Sequence, residues 1–118
     1  MAGIRPALVH GLAKALKIVF EEHMEESLIV ISSNVSRDAD HERALFKADE
    51  FRSHLENKDS EAFLKSFTTG RINACGAALV AALLESGLLE GRRFSALCPL
   101  AKSIGEDGAA VYYGAYGA

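Results

Sequence analysis

The chain has 118 residues, 49% hydrophobic and 25% charged, with a formal net charge of −3 from 13 Lys and Arg against 16 Asp and Glu. That length supports one hydrophobic core spanning residues 1–118, and the composition is that of a folded domain rather than a disordered segment. The negative balance offers no field for a phosphate backbone, so no nucleic acid partner is expected.

The opening stretch from Met1 to His10 is interrupted by Lys14 and Lys17 further on and has no small-residue cleavage site after it, so it reads as a helix rather than a targeting peptide. From Pro6 to about Glu22, Leu8, Leu12, Leu16 and Val19 recur at helical spacing, with His10, Lys14, Lys17 and Glu21 on the other side. Ile18 is the apolar exception among the polar residues. Next, Ser27-Leu28-Ile29-Val30-Ile31-Ser32-Ser33 is a β-branched run bounded by polar residues. Because its apolar residues are continuous rather than alternating, it is expected as an interior strand covered on both faces.

Ser36 or Asp38 is expected to cap a second helix that runs to about Glu56, with a core stripe of Ala44, Ala48, Phe51 and Leu55. Phe46 points nearly opposite that stripe and needs a cover of its own. Asp59 is the expected cap of a short helix carrying Phe63, Leu64 and Phe67 inward. Thr68-Thr69-Gly70 reads as a further start, opening a helix from about Arg71 to Ser86. The stretch Ala74 to Leu84 within it has no polar side chain, so this is expected as a central buried helix, yet it is far short of the ~20 residues that cross a bilayer. Ala74, Ala78 and Ala82 form one ridge of it, and Gly76 lets a neighbouring backbone approach. Beyond Arg93, Phe94 to Cys98 alternates like a strand, Gly105 to Gly108 reads as a turn, and Ala109 to Tyr116 as a last strand.

The expected fold is therefore α+β: about three strands in one layer, packed by about four helices around one buried helix, with an all-α fold as the alternative. No internal repeat divides the chain.

Cys75 and Cys98 are the only cysteines, with no C-x-x-C pair and no His cluster at zinc spacing. Free thiols in a reducing, cytoplasmic compartment follow, with no metal site and no cofactor implied. Cys75 falls inside the apolar helix, where a thiol is an inert small hydrophobe, and Cys98 has no assignable activating partner.

Two stretches carry candidate chemistry. After the first strand come Ser33 and Asn34, which can donate and accept hydrogen bonds to a ligand, and Asp38 with His41, three apart on a helix, as an orienting carboxylate and a proton-transfer imidazole. Thr69, Gly70 and Arg71, placed at a helix start, would hold a small anionic ligand. Against both stands the ordinary use of Ser, Thr, Asn and Asp as caps and of Asp–His neighbours as surface pairs. The tail tyrosines Tyr112, Tyr113 and Tyr116, together with Phe46 and Ile18, give more apolar surface than a small monomer needs, and a homo-oligomer is the simplest cover. The leading functional reading is a non-catalytic oligomeric binding module. The alternative is a small-molecule enzyme or anionic-ligand receptor with a pocket built from the two polar stretches.

Overall fold

The computed structural model describes residues 6–117; residues 1–5 and 118 lie outside the described residues. The elements in chain order are α1 (Pro6–Phe20), β1 (Ser36–Asp38), α2 (His41–Asn57), α3 (Ser60–Thr68), α4 (Ala77–Glu85), β2 (Ser95–Ala96), β3 (Ala101–Ile104), β4 (Ala110–Tyr113) and β5 (Tyr116–Gly117). The fold is α+β, as expected. Its main sheet is antiparallel with order β1-β4-β3, and β2 pairs separately with β5.

The expected central helix is present and shorter. α4 begins at Ala77 and buries Ala77, Val80, Ala81, Ala82 and Leu83, with α1 and α3 packed against it. A helix can be enclosed in this way because its main-chain donors and acceptors are satisfied within the element.

α2 shows the expected stripe, with Ala44, Ala48, Phe51 and Leu55 buried, while Phe46 stays 56% exposed. Its cap is Asp40, whose carboxylate accepts from the N–H groups of Glu42 and Arg43. Neither Ser36 nor Asp38 caps it, because both belong to β1, whose register sets Ser36 against Tyr112 and Asp38 against Ala110. Asp59 caps α3 as expected, and Phe63 packs edge-on to Phe51 at 5.7 Å in the core.

Three further expectations are corrected. α1 buries Val9 and Ala13, with Leu12 and Leu16 only partly covered and Leu8 and Val19 exposed, so its core face is rotated from the expected stripe. The helix carries apolar residues around much of its circumference, and packing against α4 selects the face. Thr68 to Arg71 is the end of α3 rather than a helix start: the Thr69 N–H bonds back to Lys65, and Gly70 takes φ +79, the left-handed conformation that closes helices. The following residues, Arg71 to Gly76, form a connection in which Ile72 and Ala74 are buried.

The third correction concerns the run from Ser27 to Ser33, which is not a strand of either sheet. The interior strand of the main sheet is β4, paired with β1 and β3. The run lies against the core instead, with Ile29 and Ile31 half-buried and Leu28 and Val30 exposed. That alternation is the signature of an extended chain covered on one face only.

Candidate functional site

Asp38 and His41 are not partners. The Asp38 carboxylate accepts from Lys47 Nζ at 2.9 Å and from the Asp40 N–H at 2.9 Å, and Arg43 stands 3.8 Å away. The Lys47 ammonium, followed by that N–H, holds the carboxyl below the usual carboxylate range. His41 donates instead from Nε2 to the Gly108 carbonyl at 3.0 Å. Each side chain ties α2 to a neighbouring loop or strand, and neither is oriented by the other as acid–base catalysis requires.

Thr69, Gly70 and Arg71 are likewise committed. The Thr68 and Thr69 hydroxyls donate to the Lys65 carbonyl, and Arg71 reaches Glu50 Oε1 at 2.9 Å. The free donors of a helix start are absent at these residues, because they stand at the carbonyl end of α3. Glu50 also contacts His54 Nε2 at 3.2 Å, and Ser66 Oγ meets the same nitrogen at 2.8 Å. This resembles a relay in composition but not in geometry: one ring nitrogen serves both carboxylate and hydroxyl, whereas activation of a hydroxyl needs the acid on the opposite nitrogen. The buried Ser66 makes it a bracket between α2 and α3.

Ser33 and Asn34 do meet chemistry, though with a residue that sequence reasoning set aside. Asn34 Oδ1 accepts the Cys75 N–H at 2.9 Å, Ser33 Oγ accepts the Gly76 N–H at 2.7 Å, and Ser33 Oγ lies 3.3 Å from Cys75 Sγ. Gly76 is required for this approach, since a Cβ there would stand 2.8 Å from Ser33 Cβ. Cys75 precedes α4 rather than lying inside it, and both Cys75 and Cys98 are free and exposed. The Ser33 hydroxyl, followed by the Asn34 N–H, holds the Cys75 thiol below its usual range. The signal available in the sequence was Gly76 itself, a poor helix residue directly after the cysteine.

The same segment walls an apolar groove of about 510 Å³. Ile31, Val35, Leu55, Leu83, Phe94 and Tyr116 are among its apolar lining, with Ser33, Asn34 and Arg92 also on it. None of Asp38, His41, Thr69, Gly70 or Arg71 reaches it. The four aromatics expected at an interface divide: Tyr112 is buried and Tyr116 packs on Phe51 at 6.1 Å, its phenol pushed up by burial, whereas Phe46 and Tyr113 remain on the surface. Among the described residues, no group of three His, Cys, Asp or Glu side chains is placed to hold a metal.

The groove's outer lip is the extended run. Among the described residues, no N–H or C=O from Leu28 to Ser32 is hydrogen-bonded, while the main chain rejoins the sheet at Val35, whose N–H donates to Tyr112 at 2.8 Å. Leu28 is 87% exposed and Val30 75% exposed along that lip.

Fold and site together define a small α+β domain with an open apolar groove bounded by an unpaired extended segment. No protein-family model matches the chain, and neither a curated protein nor a solved structure matches it.

Proposed function

We propose that this protein is an interaction module without catalysis of its own, acting in the cytoplasm, whose docking element is the uncovered main chain from Leu28 to Ser32. One observation carries the reading: a β-branched run lies extended at the surface with its backbone donors and acceptors unmatched among the described residues. Such an edge is a template for another strand, which supplies the missing hydrogen bonds while the adjoining groove takes alternate side chains. The exposed, unpaired thiols of Cys75 and Cys98 accord with a reducing compartment. No described helix is long and apolar enough to cross a membrane.

The test is amide exchange followed by NMR, with an unrelated alternating Thr–Val peptide as the probe. The amides of Leu28 to Ser32 are expected to exchange freely in dilute protein and to become protected when the peptide is added. Unchanged exchange at every peptide concentration refutes the docking element.

A second reading, a receptor for a small anionic ligand with an apolar tail, is favoured by Arg92 on the groove lining, which has no ion pair among the described residues. It predicts saturable binding of a medium-chain carboxylate by calorimetry, lost in Arg92→Ala.

A further inference from the structure

From Ser27 to Ser36 no residue is charged, so this edge is a neutral strip on a chain whose net charge is −3. A second copy aligned on this strip meets no like charge from the strip itself. The run Ser27-Leu28-Ile29-Val30-Ile31-Ser32 also reads nearly alike in both directions, hydroxyl to hydroxyl with four aliphatic residues between. An antiparallel copy can therefore lay the central residues Leu28, Ile29 and Val30 against aliphatic side chains.

Strand geometry narrows the register. Side chains alternate between faces, and directly opposed residues of an antiparallel pair share a face. Two copies related by a two-fold axis through the sheet then oppose residues of the same parity only. An axis at Ile29 sets Ile29 against its own counterpart on the groove side and Leu28 against Val30 of the second copy on the outer side. The two most exposed side chains of the run, at 87% and 75%, thus cover each other in both symmetry-related pairs. Beyond the run, Glu26 falls toward Ser32 and Glu25 toward Ser33, so like charges do not face one another.

We infer that the occupant of the docking edge is a second copy of this chain, paired antiparallel through Ser27 to Ile31 about a two-fold axis at Ile29; the inference rests on the strand-docking reading above. The interface is isologous, and its two-fold symmetry closes it at two copies.

Register-specific cross-linking of the full chain tests it, in a Cys75→Ser/Cys98→Ser background. Opposed residues of such a pair stand about 5 Å apart between Cα atoms, within disulfide reach. Ile29→Cys is expected to form a covalent dimer on mild oxidation. Leu28→Cys alone is expected to stay monomeric under the same conditions, and a mixture of Leu28→Cys with Val30→Cys to cross-link. Sedimentation of the unaltered chain at micromolar concentration is expected to show a dimer. In Leu28→Lys/Val30→Lys its dissociation constant is expected to rise about tenfold or more, because the new ammonium groups face each other across the pair. Both residues are exposed in the single chain, so its thermal melt, compared at concentrations where both proteins are dissociated, is expected to be unchanged.

A chain that sediments only as a monomer, while the Thr–Val peptide still protects Leu28 to Ser32, overturns self-pairing and leaves the docking element standing. Loss of both signals overturns both. A dimer that survives Leu28→Lys/Val30→Lys and yields no Ile29→Cys cross-link places the interface elsewhere and also overturns the inference.

Discussion

Two aliphatic, uncharged runs of this chain meet opposite fates. Ala77 to Leu84 is wound into α4 and largely enclosed, whereas Leu28 to Ile31 lies extended along the rim of the groove with Leu28 and Val30 in solvent. Hydrophobicity alone does not separate them. The difference lies in the backbone: a helix satisfies its own N–H and C=O groups and can be wrapped, while an extended run needs a neighbouring strand before both of its faces can be withdrawn from water. Here the sheets are formed by β1, β4 and β3 and by β2 and β5, and the second run pairs with none of them. Burial of an oily segment is thus limited by hydrogen-bond partners as well as by apolar area.

The sharpest way to break this comparison is to place the same charge in each run. Val80→Asp sets an unpaired carboxylate on the enclosed face of α4 and is expected to cost about 4 kcal/mol or more, enough to unfold much of the population. Val30→Asp is expected to change the stability of the single chain by less than about 0.5 kcal/mol. Urea titration of dilute protein reads both; equal losses would mean that the extended run is packed as tightly as α4.

A smaller effect is expected at the ends of the two runs, where Gly76 meets Ser33. In Gly76→Ala the new Cβ would press on Ser33 Cβ at 2.8 Å and on Ile31 Cγ2 at 3.2 Å, and Ser33 Cβ, fixed to its own main chain, cannot rotate out of the way. The expected loss is about 1–3 kcal/mol. Displacing Ser33 also removes the first support of the Cys75 thiolate, so the thiol rises toward its ordinary range and alkylation by iodoacetamide at neutral pH slows. Unchanged alkylation with lowered stability would show that Ser33 does not govern the thiol.

The smallest effect concerns Asp38, where the extended run has rejoined the sheet. Its carboxyl titrates lower in the folded chain than in the unfolded one, so its contribution is complete above the unfolded value and is lost as pH falls through the lowered folded value. Asp38→Asn is therefore expected to lower the melting temperature modestly at neutral pH and to converge with the parent chain in strong acid. A constant difference between the two melting curves at every pH would contradict the Lys47 contact as the cause.

The candidate site was only partly legible in the residues. Ser33 and Asn34 were recognisable as hydrogen-bonding groups, but their partners Cys75 and Gly76 stand some forty positions away, beyond any local pattern. Asp38 with His41, and Thr69 with Arg71, satisfied the spacing for chemistry, yet each side chain found a structural partner that spacing does not reveal, among them Lys47, the Gly108 carbonyl, the Lys65 carbonyl and Glu50. The aromatic outliers divided for the same reason. Tyr112 lies on the covered face of β4 while Tyr113, its neighbour, points away from it.

By itself the sequence determined the features that act within a few residues: the α+β composition, the cap at Asp59, the buried stripe of α2, and the helical, enclosed character of the segment around Ala81. These depend on side-chain periodicity and on donors satisfied locally. Only the tertiary structure decided which face of α1 meets α4, that Thr68 to Gly70 closes a helix instead of opening one, and that the most β-branched run stays outside the sheet. Those outcomes depend on competition for space and for backbone partners among segments remote in sequence, and no local pattern encodes which competitor wins.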